Sequence, residues 1–387
     1  MGDLVQGVFA RGAAPAWDRQ RRLWWLLWSR CPGLGWHRLR ALEARCGGLA
    51  AAWGASAAEL AAVPGLGQSL VAAVERFRHH WGPRPLGAFA LHCRHGLGVL
   101  VPGDRGWPAG LRRLHRPPLQ LCWRGRGSLW PHLGQGRSVA VVGTRGPSLH
   151  GLSMARAIGA ALGEAGWPVL SGLAEGIDGA AHQGCLAAGG SPVGVLGTPL
   201  GRAYPLHHAA LQSQVACQGL LVSELAEGGV VRRGSFAARN RLMVAMAAAV
   251  VVVECPVSSG ALHSAELAWQ LELPLWVVPA DAGRASAMGS NRLLARGATP
   301  LLLPEDLIGQ LGPGPLAGQA PSPRPEKVKR FQGAEAEGLL EAVGGGASLE
   351  QLSLALDRPM AELMPRLLEM ELAGRLRAEA GLRWRPC

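Results

Sequence analysis

The sequence predicts an α/β protein: an open parallel sheet covered by helices on both faces, with a small helical domain before it and a small helix-and-hairpin domain after it. Three observations carry that reading. Between 137 and 303, seven short apolar runs alternate with helix-length segments, the pattern of strands buried on both faces. Pro32-Gly33-Leu34-Gly35 recurs as Pro64-Gly65-Leu66-Gly67. Gly312 to Pro325, dense in glycine and proline, separates the sheet region from a final segment, as a linker does. The expected divisions are a helical domain over 20–90, the sheet domain over 91–310, a linker over 311–332 and a last domain over 333–387.

The repeat comes first in the chain. Each Pro-Gly turn is followed by helical spacing, Leu39 and Leu42 after the first and Leu70, Val71 and Val74 after the second. Proline and two glycines make a tight interhelical turn, the glycines allowing positive φ. Such turns aim backbone N–H groups outward at a helix start. The pattern resembles tandem helix-hairpin-helix (SAM-like) motifs, which grip nucleic-acid backbones. A helical bundle with glycine turns and no ligand fits equally well.

Residues 91–135 read as a basic connector. His92, Cys93 and His95 lie close together, but zinc sites draw on four ligands, or three and a water, so no metal is expected. The strands follow at Val139–Val142, Val169–Leu170, Val193–Leu196, Leu220–Val222, Val250–Val253, Trp276–Val278 and Leu301–Leu303. In the tail, Ala334–Val343, Ser348–Leu356 and Pro359–Leu372 read as helices, Ser348 and Gln351 forming a capping box. Arg375–Arg377 and Leu382–Arg385 around Gly381 read as a hairpin. Three helices and a hairpin suggest a winged helix. Pro365 interrupts the would-be recognition helix, and a protein-contact module fits as well.

Charge narrows the function. The 39 Lys and Arg outnumber the 27 Asp and Glu, for a net +12, and only Lys327 and Lys329 are lysines. Residues 1–90 hold 11 basic and 5 acidic side chains, and 91–135 hold 7 against 1. That balance favours polyanionic partners. The longest apolar run, Leu242–Val253, is 12 residues, too short for the ~20 that span a bilayer, so no membrane association is expected. Eight cysteines without a C-x-x-C pair, and no secretory leader pattern, point to the reducing cytoplasm. No G-x-G-x-x-G follows a strand and no G-x-x-x-x-G-K-[ST] occurs, which disfavours a dinucleotide dehydrogenase and a P-loop ATPase.

Ligands of open parallel sheets bind beyond the carboxyl ends of the strands. Five of those ends are rich in small or hydroxyl residues: Gly143-Thr144, Ser171-Gly172, Gly197-Thr198, Ser223 and Ser258-Ser259-Gly260. Such turns suit phosphate oxygens, which need close backbone approach and many donors. Arg145, Arg239 and Arg241, with Asn240 between the last two, can add charge there, and Phe236 can stack a base. The expected binding residues are therefore Gly143, Thr144, Arg145, Ser171, Gly172, Phe236, Arg239, Asn240, Arg241, Ser259 and Gly260. No catalytic residue stands out. Asp178 and His182 are four apart on one predicted helix face, but Asp178 reads as the cap of that helix.

Several blocks carry a resemblance. Val142-Gly143-Thr144-Arg145, the run Ser171 to His182, Tyr204-Pro205, Ser223-Glu224, Phe236-x-x-Arg239-Asn240-Arg241, Ser259-Gly260 and Gly289-x-Asn291 occur in the order of the DNA-processing protein A (DprA, or Smf) family. The resemblance spans about 100–303. It implies an extended Rossmann-like domain and a non-enzymatic mediator of natural transformation, without a cofactor. Such a mediator binds single-stranded DNA, forms a homodimer and helps load a RecA-type recombinase. It places the phosphate pocket on Gly143, Arg145, Ser171, Gly172, Arg239 and Arg241. The chain departs from the family at Pro199, where glycine is usual, at Ala237, where proline is, and at Ala261-Leu262-His263-Ser264, which thins the donors of the pocket. Two rival readings follow. One is an enzyme acting on a free nucleotide, with Asp178, Glu224 or Glu254 as acid or base; the other is a protein-interaction scaffold with a vestigial pocket.

Overall fold

The computed structural model describes residues 17–92, 98–318, 334–372, 375–379 and 383–386. The chain divides into two compact units, 1–322 and 323–387. The first begins with α1 (Arg19–Trp28), α2 (Trp36–Arg45), α3 (Leu49–Gly54), α4 (Ala57–Ala61), α5 (Gln68–Trp81) and α6 (Pro85–His92). The Asp18 carboxylate caps α1 by accepting from Arg21 N at 2.7 Å. The two Pro-Gly turns match: Gly33 and Gly65 both have φ +83°, a left-handed value that glycine alone adopts without strain.

Each turn packs on the helix that follows the other. A Cβ on Gly33 would lie 2.8 Å from Leu70 of α5, and one on Gly65 would lie 3.7 Å from Arg38 of α2. Arg38 and Leu70 are themselves equivalent positions of the repeat, so the contact is reciprocal, an internal two-fold. Trp24, Trp25, Trp28 and Trp53 fill the core between the helices, their rings meeting at 5.1–5.5 Å in the Trp24–Trp53 and Trp28–Trp53 pairs. This core does not stop at residue 90. Val101 is buried in it, Trp25 Nε1 donates to Leu119 O at 2.7 Å, and Arg22 pairs with Asp104 at 3.1 Å. The helical region and the sheet thus belong to one unit.

The sheet has nine strands: β1 (Gly98–Leu100), β2 (Leu121–Gly125), β3 (Val139–Val142), β4 (Val169–Ser171), β5 (Pro192–Leu196), β6 (Leu220–Ser223), β7 (Ala249–Val252), β8 (Leu275–Val277) and β9 (Thr299–Pro300). Their spatial order is β1-β2-β6-β5-β4-β3-β7-β8-β9. From β6 through β9 every pairing is parallel. The connector contributes two strands that were not expected, β1 and β2, which add antiparallel to the β6 edge. The sheet is therefore mixed. A further difference lies at the opposite edge. The last strand is Thr299–Pro300 instead of Leu301–Leu303, because Leu303 already caps the next helix and is 59% exposed.

The remaining helices of this unit are α7 (Trp130–Gly134), α8 (Leu149–Glu164), α9 (Ile177–Ala187), α10 (Ala209–Gln218), α11 (Arg233–Met246), α12 (Gly260–Gln270), α13 (Met288–Ala295) and α14 (Pro304–Leu311). Strand residues alternate between two cores. Ala140, Val142, Val250 and Val252 pack with α11, α12 and α13, while Val139, Val141, Ala249 and Val251 pack with α8, α9 and α14. Both faces are covered, which is why the strands read as unbroken apolar runs. Each fully buried valine contributes about 1.5–3 kcal/mol of transfer free energy.

The second unit holds α15 (Ala334–Val343), a short strand β10 (Ala347–Ser348), α16 (Leu349–Leu356), α17 (Met360–Leu372) and the strands β11 (Leu376–Glu379) and β12 (Arg383–Pro386), paired β10-β12-β11. The Ser348–Gln351 capping box forms, with bonds of 2.9 and 3.3 Å. Contrary to expectation, α17 runs unbroken through Pro365, held on both sides of it by buried Leu363, Leu367 and Met370. Cys93, His95, Gly381 and the linker beyond 318 lie outside the described residues. Among the described residues no helix is long and apolar enough to cross a membrane.

Candidate functional site

The carboxyl ends of β3 to β7 meet along one edge of the sheet. At its surface lies Arg145, exposed in the turn after β3. Its guanidinium stands 5.7 Å from the centre of the Phe236 ring. Phe236, half-buried on the first turn of α11, packs against Tyr204 with ring centres 4.7 Å apart and planes inclined by 42°. Glycine is needed at 197 for this approach, since a Cβ there would lie 2.8 Å from Phe236. Tyr204 is 47% exposed and forms the outer face of the aromatic pair.

Beneath this surface lies a buried ionic layer. Arg239 is only 5% exposed and its guanidinium lies over Gly172, where a Cβ would come within 2.0 Å of it. It donates to Val195 O at the end of β5 and, through Nε, to Asn240 Oδ1 at 3.1 Å. Asp178 sits 4.0 Å from Arg239 Nη2 and accepts from Gly172 N at 3.0 Å. Burial pushes the Asp178 carboxyl above its ordinary range, against the opposing pull of the Arg239 charge. Burial likewise lowers the Arg239 pKa, opposed by Asp178 and helped by nearby Arg145. The last coupling puts the two arginines in the same neighbourhood.

His182, on the same helix as Asp178, is fully buried. Its Nε2–H donates to Val193 O at 3.3 Å, the tautomer that a carbonyl acceptor dictates. Burial lowers its pKa from 6.5 to about 4.

The expected residues thus separate into groups. Arg145 and Phe236 are at the surface. Ser171, Gly172 and Arg239 are buried, with their polar groups engaged inside the chain: Ser171 Oγ donates to Val141 O at 2.7 Å. Arg241 faces Glu224, with two bonds of 2.6 and 2.8 Å. Asn240 Nδ2 reaches Gly260 O at 3.4 Å and ties α11 to the start of α12, where Ser259 accepts from Ala261 N at 3.2 Å. Thr144 N donates to Glu254 O at 2.7 Å, and Gly143 packs against Ile177 with no room for a Cβ. Asp178 does not cap its helix, whose N-cap is Gly176; the carboxylate bonds back to the β4 turn. Tyr204, named in the sequence only as part of the resemblance, is missing from the expected binding residues. Its signal was available, an aromatic residue before proline just past a strand end, and it is the only tyrosine in the chain.

Residues 98–312, from β1 to the end of α14, match the model of the DNA recombination-mediator protein A family. The chain belongs to this family. Protein Smf of Synechocystis is 34% identical over 296 residues, covering 76% of this chain and 74% of the relative. The fold matches that of DNA processing protein A from Streptococcus pneumoniae with a TM-score of 0.64, at 23% identity, covering 74% of this chain and 97% of that one. DNA processing protein A from Helicobacter pylori, whose single-stranded DNA binding mode has been studied structurally, matches at 28% identity with a TM-score of 0.50. That match covers 56% of this chain and 95% of the other. Membership in the mediator family also accounts for the Rossmann-like sheet, with helices on both faces and its polar turns gathered at one edge.

Proposed function

We propose that this protein binds single-stranded DNA at the Arg145–Phe236–Tyr204 cluster and acts, without catalysis, as a mediator that delivers the strand to a RecA-type recombinase during DNA uptake. The observation that carries the reading is an exposed guanidinium over a half-exposed aromatic pair, which offers phosphate neutralisation and base stacking side by side. The Helicobacter relative, with its studied single-stranded DNA binding, supports it. So does the engagement of each carboxylate a nucleotide-cleaving enzyme would use. Asp178 is held by Gly172 and Arg239, Glu224 by Arg241, and Glu254 by Ser148. A homodimer and a winged-helix role for residues 333–387 complete the reading, the first to be checked by light scattering.

The test is anisotropy of a labelled oligonucleotide across salt. Arg145→Ala is expected to weaken binding to all sequences alike and to reduce the slope of log affinity against log salt by about one. Identical affinity and slope in the variant would remove this site from the proposal.

A further inference from the structure

We propose that Glu254 is a built-in anion that occupies the phosphate position of the first strand-to-helix turn and bars free mononucleotides from the sheet's switch point. The strand order reverses between β3 and β7. Open α/β sheets take nucleotides at such a point, with phosphate on the N-terminus of the helix that follows the first strand. Here that helix is α8, entered through Gly143–Ser148.

Glu254 reaches into this position from just past β7. It is 2% exposed. Its Oε2 accepts from Ser148 Oγ at 2.7 Å and from Ser148 N at 3.1 Å. Gly151, one turn into α8, makes the room, because a Cβ there would lie 2.2 Å from Oε2. The backbone closes the same gap, Glu254 O accepting from Thr144 N at 2.7 Å. A carboxylate held by an amide and a hydroxyl at a helix N-terminus uses the donors and dipole a phosphate would use. An incoming phosphate must expel a buried, bonded carboxylate of its own charge. The ligand's phosphates are thereby confined to the exposed outer face of this turn, at Arg145, which deepens the proposed function and rests on it for the path of the strand.

The experiment uses the full chain in the Arg145→Ala background, so that AMP cannot report from the exposed cluster. Equilibrium dialysis with labelled AMP is expected to show no binding at millimolar concentration with Glu254 present. Glu254→Ala is expected to bind AMP at least about tenfold more tightly. Glu254→Gln keeps the shape and removes the charge, and its melting temperature is expected to rise with inorganic phosphate. It reads the same effect if the alanine variant does not fold. With Arg145 intact, both variants should hold oligonucleotide affinity within about twofold. AMP binding while Glu254 is present overturns the inference, as does a folded Glu254 variant that gains no AMP or phosphate response. Loss of oligonucleotide binding by the otherwise unaltered chain would instead sink the proposed function and leave the AMP result to judge Glu254 by itself.

Discussion

Two stretches of one sheet edge are built in opposite ways. Where β3 meets β7, the glycine-rich turn is closed on itself: Thr144 N, Ser148 N and Ser148 Oγ all bond to Glu254. Where β4 and β5 end, the half-exposed Phe236–Tyr204 pair lies above a buried Arg239–Asp178 pair, with the exposed Arg145 reaching over it from the turn after β3. The two use the same kinds of residue. They differ in whether a buried carboxylate of the chain takes the donors of the turn, as Glu254 does, or neutralises an arginine beneath an exposed aromatic pair, as Asp178 does. Small residues and donors at strand ends therefore mark where an anion can sit; they do not say whose anion it is.

Removing the buried layer is the strongest way to break this contrast. Arg239→Ala leaves Asp178 buried beside Gly172 without its cation, and is expected to cost about 3–5 kcal/mol of stability in urea melts. The double change Arg239→Met with Asp178→Leu should recover much of that loss. If Arg239→Ala melts like the unaltered protein, the layer does not hold the open region in place.

Acid tests the same layer. His182 titrates near 4 folded, against 6.5 unfolded. Between those values the unfolded chain binds the extra proton, so this group's contribution is complete above about pH 6.5 and is lost as pH falls towards 4, about 3 kcal/mol in all. Asp178 acts in the opposite sense, its raised pKa favouring the folded state as acid is added. Comparing denaturation with His182→Gln across pH isolates the histidine. An equally steep acid slope in that variant would show that the proton goes elsewhere.

The smallest effect sharpens the comparison at the surface. Tyr204→Ala should reduce oligonucleotide affinity by about 1 kcal/mol through lost stacking while changing stability by about 0.5 kcal/mol or less. As the chain's only tyrosine, it also gives an isolated aromatic resonance, which should shift on titration with oligonucleotide. A silent resonance would place the bases away from Tyr204.

Much of this architecture was legible before any coordinates. Val139–Val142 is a strand to the residue, because a short, valine-rich apolar run followed at once by glycine suits a doubly covered strand and is too short for a helix. The Ser348 box and the two Pro-Gly turns were readable for local reasons, since caps and left-handed glycines depend on neighbours within a few residues. Two of the misses involve partners far along the chain. β1 and β2 hide in a basic, tryptophan-bearing segment and are strands only because the β6 edge, about a hundred residues later, offers its ladder. Asp178 looked like a cap, yet its carboxylate is spoken for by Gly172 and faces Arg239, some sixty residues on.

Local chemistry, then, determined the periodicity, the turns and the family to which the chain belongs, since each is written in spacings of a few residues. Only the folded molecule decided which donors remain free. Whether Ser171 or Arg239 meets solvent depends on which carbonyl or carboxylate the sheet brings beside it. Burial, not residue type, assigns a polar group either to the interior or to a partner.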